Sequence, residues 1–155
     1  MTVRIQTEPF DVGAEIALLT DGRTDAGAVV SFTGLVRGAV DGTALLSMTL
    51  EHYPGMTEAE LARVEADARS RWPLEDVLII HRVGTLEPGD GIVLVVTASR
   101  HRKAAFEAAE FLMDYLKTRA PFWKKEELAD GRAAWVDARE SDADATARWA
   151  VKAAD

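Results

Sequence analysis

Three observations predict an α+β fold. β-Branched runs come in neighbouring pairs, two amphipathic helical segments stand between those pairs, and a further strand pair flanks Asp130-Gly131 near the C-terminus. Such clustering differs from the strict strand–helix alternation that builds a doubly wound sheet.

Taken in order, Val3 and Ile5 alternate as in an edge strand. Asp11 is placed to cap a short helix whose Val12, Ile16 and Leu19 share a face. Ala26–Gly34 reads as a buried strand, Arg37–Gly42 as a polar, glycine-containing loop, and Ala44–Tyr53 as a second strand. Pro54-Gly55 breaks the chain. Thr57-Glu-Ala-Glu60 has capping-box spacing and opens a helix to about Arg71, stopped by Pro73. Val77–Val83 and Gly91–Ala98 are strands joined through the turn signal Glu87-Pro88-Gly89-Asp90. A second long helix is expected from about Arg102 to Thr118, with Phe106, Ala109, Leu112, Met113 and Leu116 at helical spacing. Ala120 precedes a proline, which disfavours helix and ends it. Trp123–Leu128 and Ala133–Ala138 then form a hairpin, and the tail from about residue 141 is expected to be a loosely held helix.

With 155 residues and no linker or repeat, the chain is expected to form one domain over residues 1–155. Its hydrophobic content of 48% and charged content of 28% are those of a soluble globular protein. No apolar run approaches the roughly 20 residues that span a bilayer. Met-Thr-Val-Arg-Ile lacks the marks of a secretion signal, so a cytoplasmic protein is expected, with no membrane partner. Cysteine is absent, which excludes disulfides, thiolate metal sites and cysteine nucleophiles. Any sulfur handled here must arrive on another molecule.

The net charge of −8 argues against nucleic acid. The charge is uneven, however. Residues 100–125 carry seven Lys/Arg against three Asp/Glu, a net +4, which leaves −12 on the rest. A cationic island in an acidic body attracts a small anion or an acidic peptide tail.

Within that island, residues 114–126 interleave Lys117, Arg119, Lys124 and Lys125 with Tyr115, Pro121, Phe122 and Trp123. Desolvation and neighbouring cations favour the neutral amine that acid–base or nucleophilic lysine chemistry requires. Strand alternation puts Lys124 on one face with Phe122 and Glu126, and Trp123 and Lys125 on the other. Read individually, Lys117 better suits the helix C-terminus as a dipole-compensating cation, and Lys124 equally suits an exposed strand. Ser99–Lys103 places cations where a helix begins, an arrangement that a bound anion would stabilise. Arg37 lies at a strand tip, where its planar fork suits phosphate or carboxylate. The histidines, His52, His81 and His101, have no metal-ligand spacing; His52 and His81 read as packing and turn residues. No metal site, glycine-rich phosphate loop or Gly-x-Ser-x-Gly elbow is found, and no cofactor is expected.

Several ordered motifs together resemble the large, catalytic subunit of molybdopterin synthase over nearly the whole chain. They are Val29–Gly34 with Val36-Arg37, Leu50–Met56, Ile80–Gly84, His101-Arg102, Met113–Glu126 and Ala138–Asp142. The resemblance implies an α/β hammerhead-type fold with an additional antiparallel β subdomain. It also implies a homodimer that becomes a heterotetramer with two small ubiquitin-like sulfur-carrier subunits, whose C-terminal Gly-Gly thiocarboxylate enters the active pocket. The implied reaction transfers sulfur to cyclic pyranopterin monophosphate (precursor Z), a small-molecule pterin, to form the dithiolene of molybdopterin. By position, Lys117 and Lys124 match the catalytic lysines. Arg37, His101, Arg102, Lys125 and Glu126 match substrate-binding residues, alongside the two lysines. The chain departs from the family at Leu35, where a basic residue is common, so Arg37 is the only side chain of the Leu35–Gly42 loop expected to bind phosphate.

Two other readings differ in class. A catalytically silent homologue would only dock a ubiquitin-like partner, and would have no need of both lysines with His101 and Arg102. A phosphate-ester hydrolase would need metal ligands or a nucleophile that the sequence lacks.

Overall fold

A computed structural model describes residues 2–136, 146, 147 and 149. The elements follow as β1 (Val3–Gln6), α1 (Val12–Thr20), β2 (Ala28–Leu35), β3 (Ala39–Val40), β4 (Thr43–His52), α2 (Met56–Arg71), β5 (Leu74–Arg82), β6 (Gly84–Leu86), β7 (Gly91–Ser99), α3 (Arg102–Thr118), β8 (Phe122–Leu128) and β9 (Ala133–Val136). They form two sheets, and the fold is α+β with an additional antiparallel sheet.

The first sheet has the order β1-β5-β7-β2, with β1 parallel to β5 and the other pairs antiparallel. Both central strands are apolar on both faces. Val77, Ile79, Val93 and Val95 pack against Leu61 and Val64 of α2 and Phe111 and Leu112 of α3. On the opposite face, Leu78, Ile80, Leu94 and Val96 are covered by Val12, Ile16 and Leu19 of α1. Each such side chain contributes roughly 1.5–3 kcal/mol on burial. Asp11 caps α1 as expected, accepting from the Ala14 N–H at 2.9 Å.

Four details differ from the sequence reading. β2 is not a buried strand: it forms one edge of the sheet, leaving Val29, Phe32 and Leu35 exposed. The Arg37–Gly42 segment is not simply a loop. Asp41 and Gly42 both take positive φ (48° and 81°), the geometry of an Asp-Gly type I′ turn, and pair β3 with β4. Helix α2 starts earlier than the Thr57–Glu60 box implies. Gly55, at φ 87°, is its N-cap, and the Glu58 carboxylate accepts from the Gly55 N–H. Thr57 instead is fully buried, accepting from the Tyr53 N–H (3.1 Å) and donating to the Pro121 carbonyl (3.1 Å). Finally, Gly84–Leu86 forms the short strand β6, which sequence alternation is too brief to reveal.

In the second sheet β4 is the spine. It pairs antiparallel with β8 along one edge and with β3 and β6 along the other, and β9 completes the sheet as a hairpin with β8. Val36, Leu45, Met48, Leu50 and Leu86 form a separate small core beneath it. The hairpin was expected to reach Ala138; residues 137 and 138 lie outside the described residues, as do 137–145 of the motif and tail readings. Of the tail expected to be loosely held, Trp149 is described, and it is buried against Trp72 and Phe111.

Candidate active site

The loop from α3 into β8 determines which side chains meet. Arg119 ends α3, its N–H bonding the Tyr115 carbonyl at 2.8 Å, and Pro121 prevents the helix from continuing. The chain reverses within three residues and enters β8, whose ladder with β4 sets Lys124 opposite Leu50 and Glu126 opposite Met48. Strand alternation then turns Phe122, Lys124 and Glu126 toward the same side as Met48 and Leu50. There they line a cavity of about 390 Å³ together with Lys117 and Thr118 at the end of α3, Arg37, and His81 of β5. Val40, Leu45 and Ile92 supply apolar wall.

Lys117 and Lys124 therefore come together, with Arg37 and Glu126. Lys124 is half-buried, whereas Lys117 is exposed at the rim. Among the described residues, three cations against one carboxylate give this cavity a positive interior in an acidic protein, which concentrates anions. The other residues implied by the resemblance lie elsewhere in the chain. Lys125 sits on the outer face of β8, opposite Thr49 of β4 and Trp135 of β9. His101 and Arg102 are exposed at the start of α3, and that helix rises about 22 Å from Arg102 to Lys117. A straight helix cannot bring its own two ends into one pocket.

His81 lines the cavity although the sequence reading assigned it to packing. A signal was present: it continues the Val77, Ile79 phase of β5 as a polar side chain directly after two buried apolar ones. Its ring stacks on Phe122 with centroids 3.8 Å apart and planes 18° from parallel. Nδ1 lies 2.8 Å from the Arg82 carbonyl, which only accepts, so Nδ1 carries the hydrogen and Nε2 is bare. Burial, followed by the Lys117 and His52 charges, lowers its pKa to about 4 against the opposing hydrogen bond to Arg82. His52 is itself paired to Glu58 at 3.2 Å.

This depression carries a sign for stability. The unfolded chain protonates this histidine near 6.5 and the folded one near 4, so the contribution is present above pH 6.5 and is lost as pH falls through 4. The full loss is about 3 kcal/mol. Urea melts at pH 7 and pH 4.5 should show a smaller pH difference in His81→Gln than in the wild type; equal differences would remove this attribution.

Among the described residues, no three His, Asp or Glu side chains gather as metal ligands, and no helix is long and apolar enough to cross a membrane.

Comparison with known proteins agrees with this architecture. The family model described as MoaE protein matches residues 5–119. A molybdopterin synthase catalytic subunit of Mesorhizobium japonicum is 61% identical over 149 residues, covering 96% of this chain and 92% of that relative. The solved structure of a molybdopterin biosynthesis MoaE protein from Burkholderia ambifaria superposes with a TM-score of 0.82 at 52% identity, covering 96% of this chain and 97% of the other. A crystal structure of molybdopterin synthase from Staphylococcus aureus matches with a TM-score of 0.78 at 35% identity, covering 85% and 94%.

Proposed function

Since this chain belongs to the MoaE protein family, we infer that it is the catalytic subunit of a molybdopterin synthase, a sulfurtransferase of molybdenum cofactor biosynthesis. Its substrate is cyclic pyranopterin monophosphate, and its sulfur donor is the thiocarboxylated C-terminus of a small ubiquitin-like carrier. The observation that carries this reading is the convergence of Lys117, Lys124 and Arg37 on one cavity. Both reactants are anions, and a thiocarboxylate sulfur needs positive charge beside it as its bond to the acyl carbon breaks. Each sulfur replaces an oxygen substituent on a side-chain carbon of the pterin, that C–O bond breaking with the oxygen leaving as water or remaining on the phosphate. Water takes the sulfur's place on the acyl carbon, leaving the carrier with an ordinary carboxylate. Lys124, the more enclosed amine, and Lys117, at the rim, transfer protons and stabilise the developing charge.

His101, Arg102 and Lys125 enter the same reading as substrate-binding residues. The length of α3 keeps His101 and Arg102 from the cavity of their own chain, which supports a reading in which they serve the cavity of a second copy, in a homodimer that becomes a heterotetramer with two carriers. The carrier docks on the β8–β9 hairpin, where Trp123 and Trp135 are exposed on the face away from the cavity. The enzyme works in the cytoplasm. A protein that only docked a partner would have no use for two lysines on one pocket wall.

The test is direct. The wild-type protein mixed with thiocarboxylated carrier and the pyranopterin should yield dithiolene product. Absence of product with folded protein and intact thiocarboxylate overturns the reading.

A further inference from the structure

We propose that His81 contacts the substrate: its bare Nε2 accepts a hydrogen bond from an N–H group of the nitrogen heterocycle bound in the cavity. The proposal rests on the pterin reading above and adds a residue to which that reading gives no role. Arg37, Lys117 and Lys124 offer only donors to a ligand, which suits phosphate and thiocarboxylate oxygens. A reduced pterin also presents N–H donors along its rings, and these need acceptors. Glu126 and Thr118 also line the cavity, but the Thr118 hydroxyl is already engaged with the Asp114 carbonyl (3.1 Å) and the Thr146 hydroxyl (2.7 Å), and Glu126 carries a charge.

Two contacts fix the imidazole. The Arg82 carbonyl holds Nδ1–H at 2.8 Å and so specifies the tautomer, and Phe122 clamps the ring plane at 3.8 Å. Burial, and after it the surrounding charges, keeps the ring neutral. Lys117 from α3 and His52 from β4 repel a proton on it, whereas Glu58, the carboxylate nearest His52, is engaged with that histidine and with the Gly55 N–H. The Arg82 guanidinium points away, donating to the Thr7 and Gly91 carbonyls. From β8, Lys124 adds to the positive surroundings, and Glu126 is the one carboxylate of the cavity wall among the described residues. An acceptor that stays unprotonated beside a lysine suits a neutral N–H rather than an anion.

The measurement is affinity for the pyranopterin alone, with carrier affinity as control. His81→Phe keeps an aromatic ring on Phe122 and removes the acceptor; affinity should fall about tenfold while carrier binding stays unchanged. His81→Gln restores an acceptor near Nε2 and should return affinity to within about threefold of wild type. Unchanged pterin affinity in His81→Phe overturns the proposal and leaves the residue to packing. If His81→Phe does not fold, the pH profile decides. Wild-type affinity should drop toward pH 4 more steeply than that of His81→Gln, and matching profiles overturn the proposal. Failure of the wild type to bind the pterin at all would instead count against the enzymatic reading itself.

Discussion

Replacing Lys124 with Ala should lower sulfur transfer by about 10²–10⁴-fold, the range typical of a lost acid–base group, and Lys117→Ala should have an effect of the same order. The carrier should still bind both variants if, as proposed, it docks mainly on the hairpin outside the cavity. Neither substitution removes core. Lys117 is exposed, Lys124 is half-buried, and the β4–β8 ladder that holds Lys124 is made by backbone. The arginine variants separate the two tasks of each lysine. Arginine retains the charge but is never deprotonated in proteins, so it supports electrostatic stabilisation and not proton shuttling. If Lys124→Arg keeps most of the rate, the residue acts as a charge; if it is as slow as Lys124→Ala, it moves a proton. Single-turnover assays with saturating carrier are the appropriate measurement, since they isolate the chemical steps from carrier exchange. Near-normal turnover in either alanine variant would refute the assignment for that residue.

The largest expected loss of stability comes from Phe111→Ala, about 3–5 kcal/mol. Phe111 is fully buried at the meeting point of three segments. Its ring contacts Trp72 after α2 (5.3 Å between centroids), Tyr115 one turn along α3 (4.6 Å) and Trp149 of the C-terminal segment (5.5 Å). The Arg71 guanidinium lies over it at 4.6 Å, and Arg71 also donates to the Trp149 carbonyl at 2.8 Å. Truncation leaves a cavity that these rings cannot fill without breaking polar bonds such as Trp149 Nε1–H to Asp114 Oδ2 (2.6 Å). At roughly 2–4 °C per kcal/mol for a chain of this size, melting should fall by about 10 °C. Phe111→Leu should lose far less. Thermal melts of the two variants test the difference, and equal small shifts would show that the cluster repacks freely.

How much of this was legible before any coordinates depended on the range of the interaction. The grouping of Phe122, Lys124 and Glu126 follows from strand alternation alone, and the end of α3 follows from Ala120-Pro121; both are local and both hold. The partner of β8 was not legible. Lys124 faces Leu50 through a pairing of segments more than seventy residues apart, a tertiary choice with no local signature. The same applies to Arg37, which the Asp41-Gly42 turn folds back over the second sheet. That dipeptide is a hairpin signal, but one read as a loop because the paired strand, at two residues, is too short to show alternation. The α2 cap was misplaced because Thr57–Glu60 and Gly55–Glu58 both have the right spacing, and only Thr57's buried bonds to Tyr53 and Pro121 decide between them. His81 was passed over because a lone histidine at a strand end is ordinarily structural, and its value lies in neighbours that arrive from β8 and α3.

The pairing of β4 with β8 also has a temporal consequence. Leu45–His52 leaves the ribosome long before Phe122–Leu128 exists. At about 5–20 residues per second, the nascent spine strand waits on the order of 4–16 s with one ladder edge uncovered. High contact order of this kind slows folding and leaves the growing polypeptide open to off-pathway association. The cavity that holds Lys124 is thus completed late, and a chain truncated before residue 122 lacks Phe122, Lys124 and Glu126 from its wall.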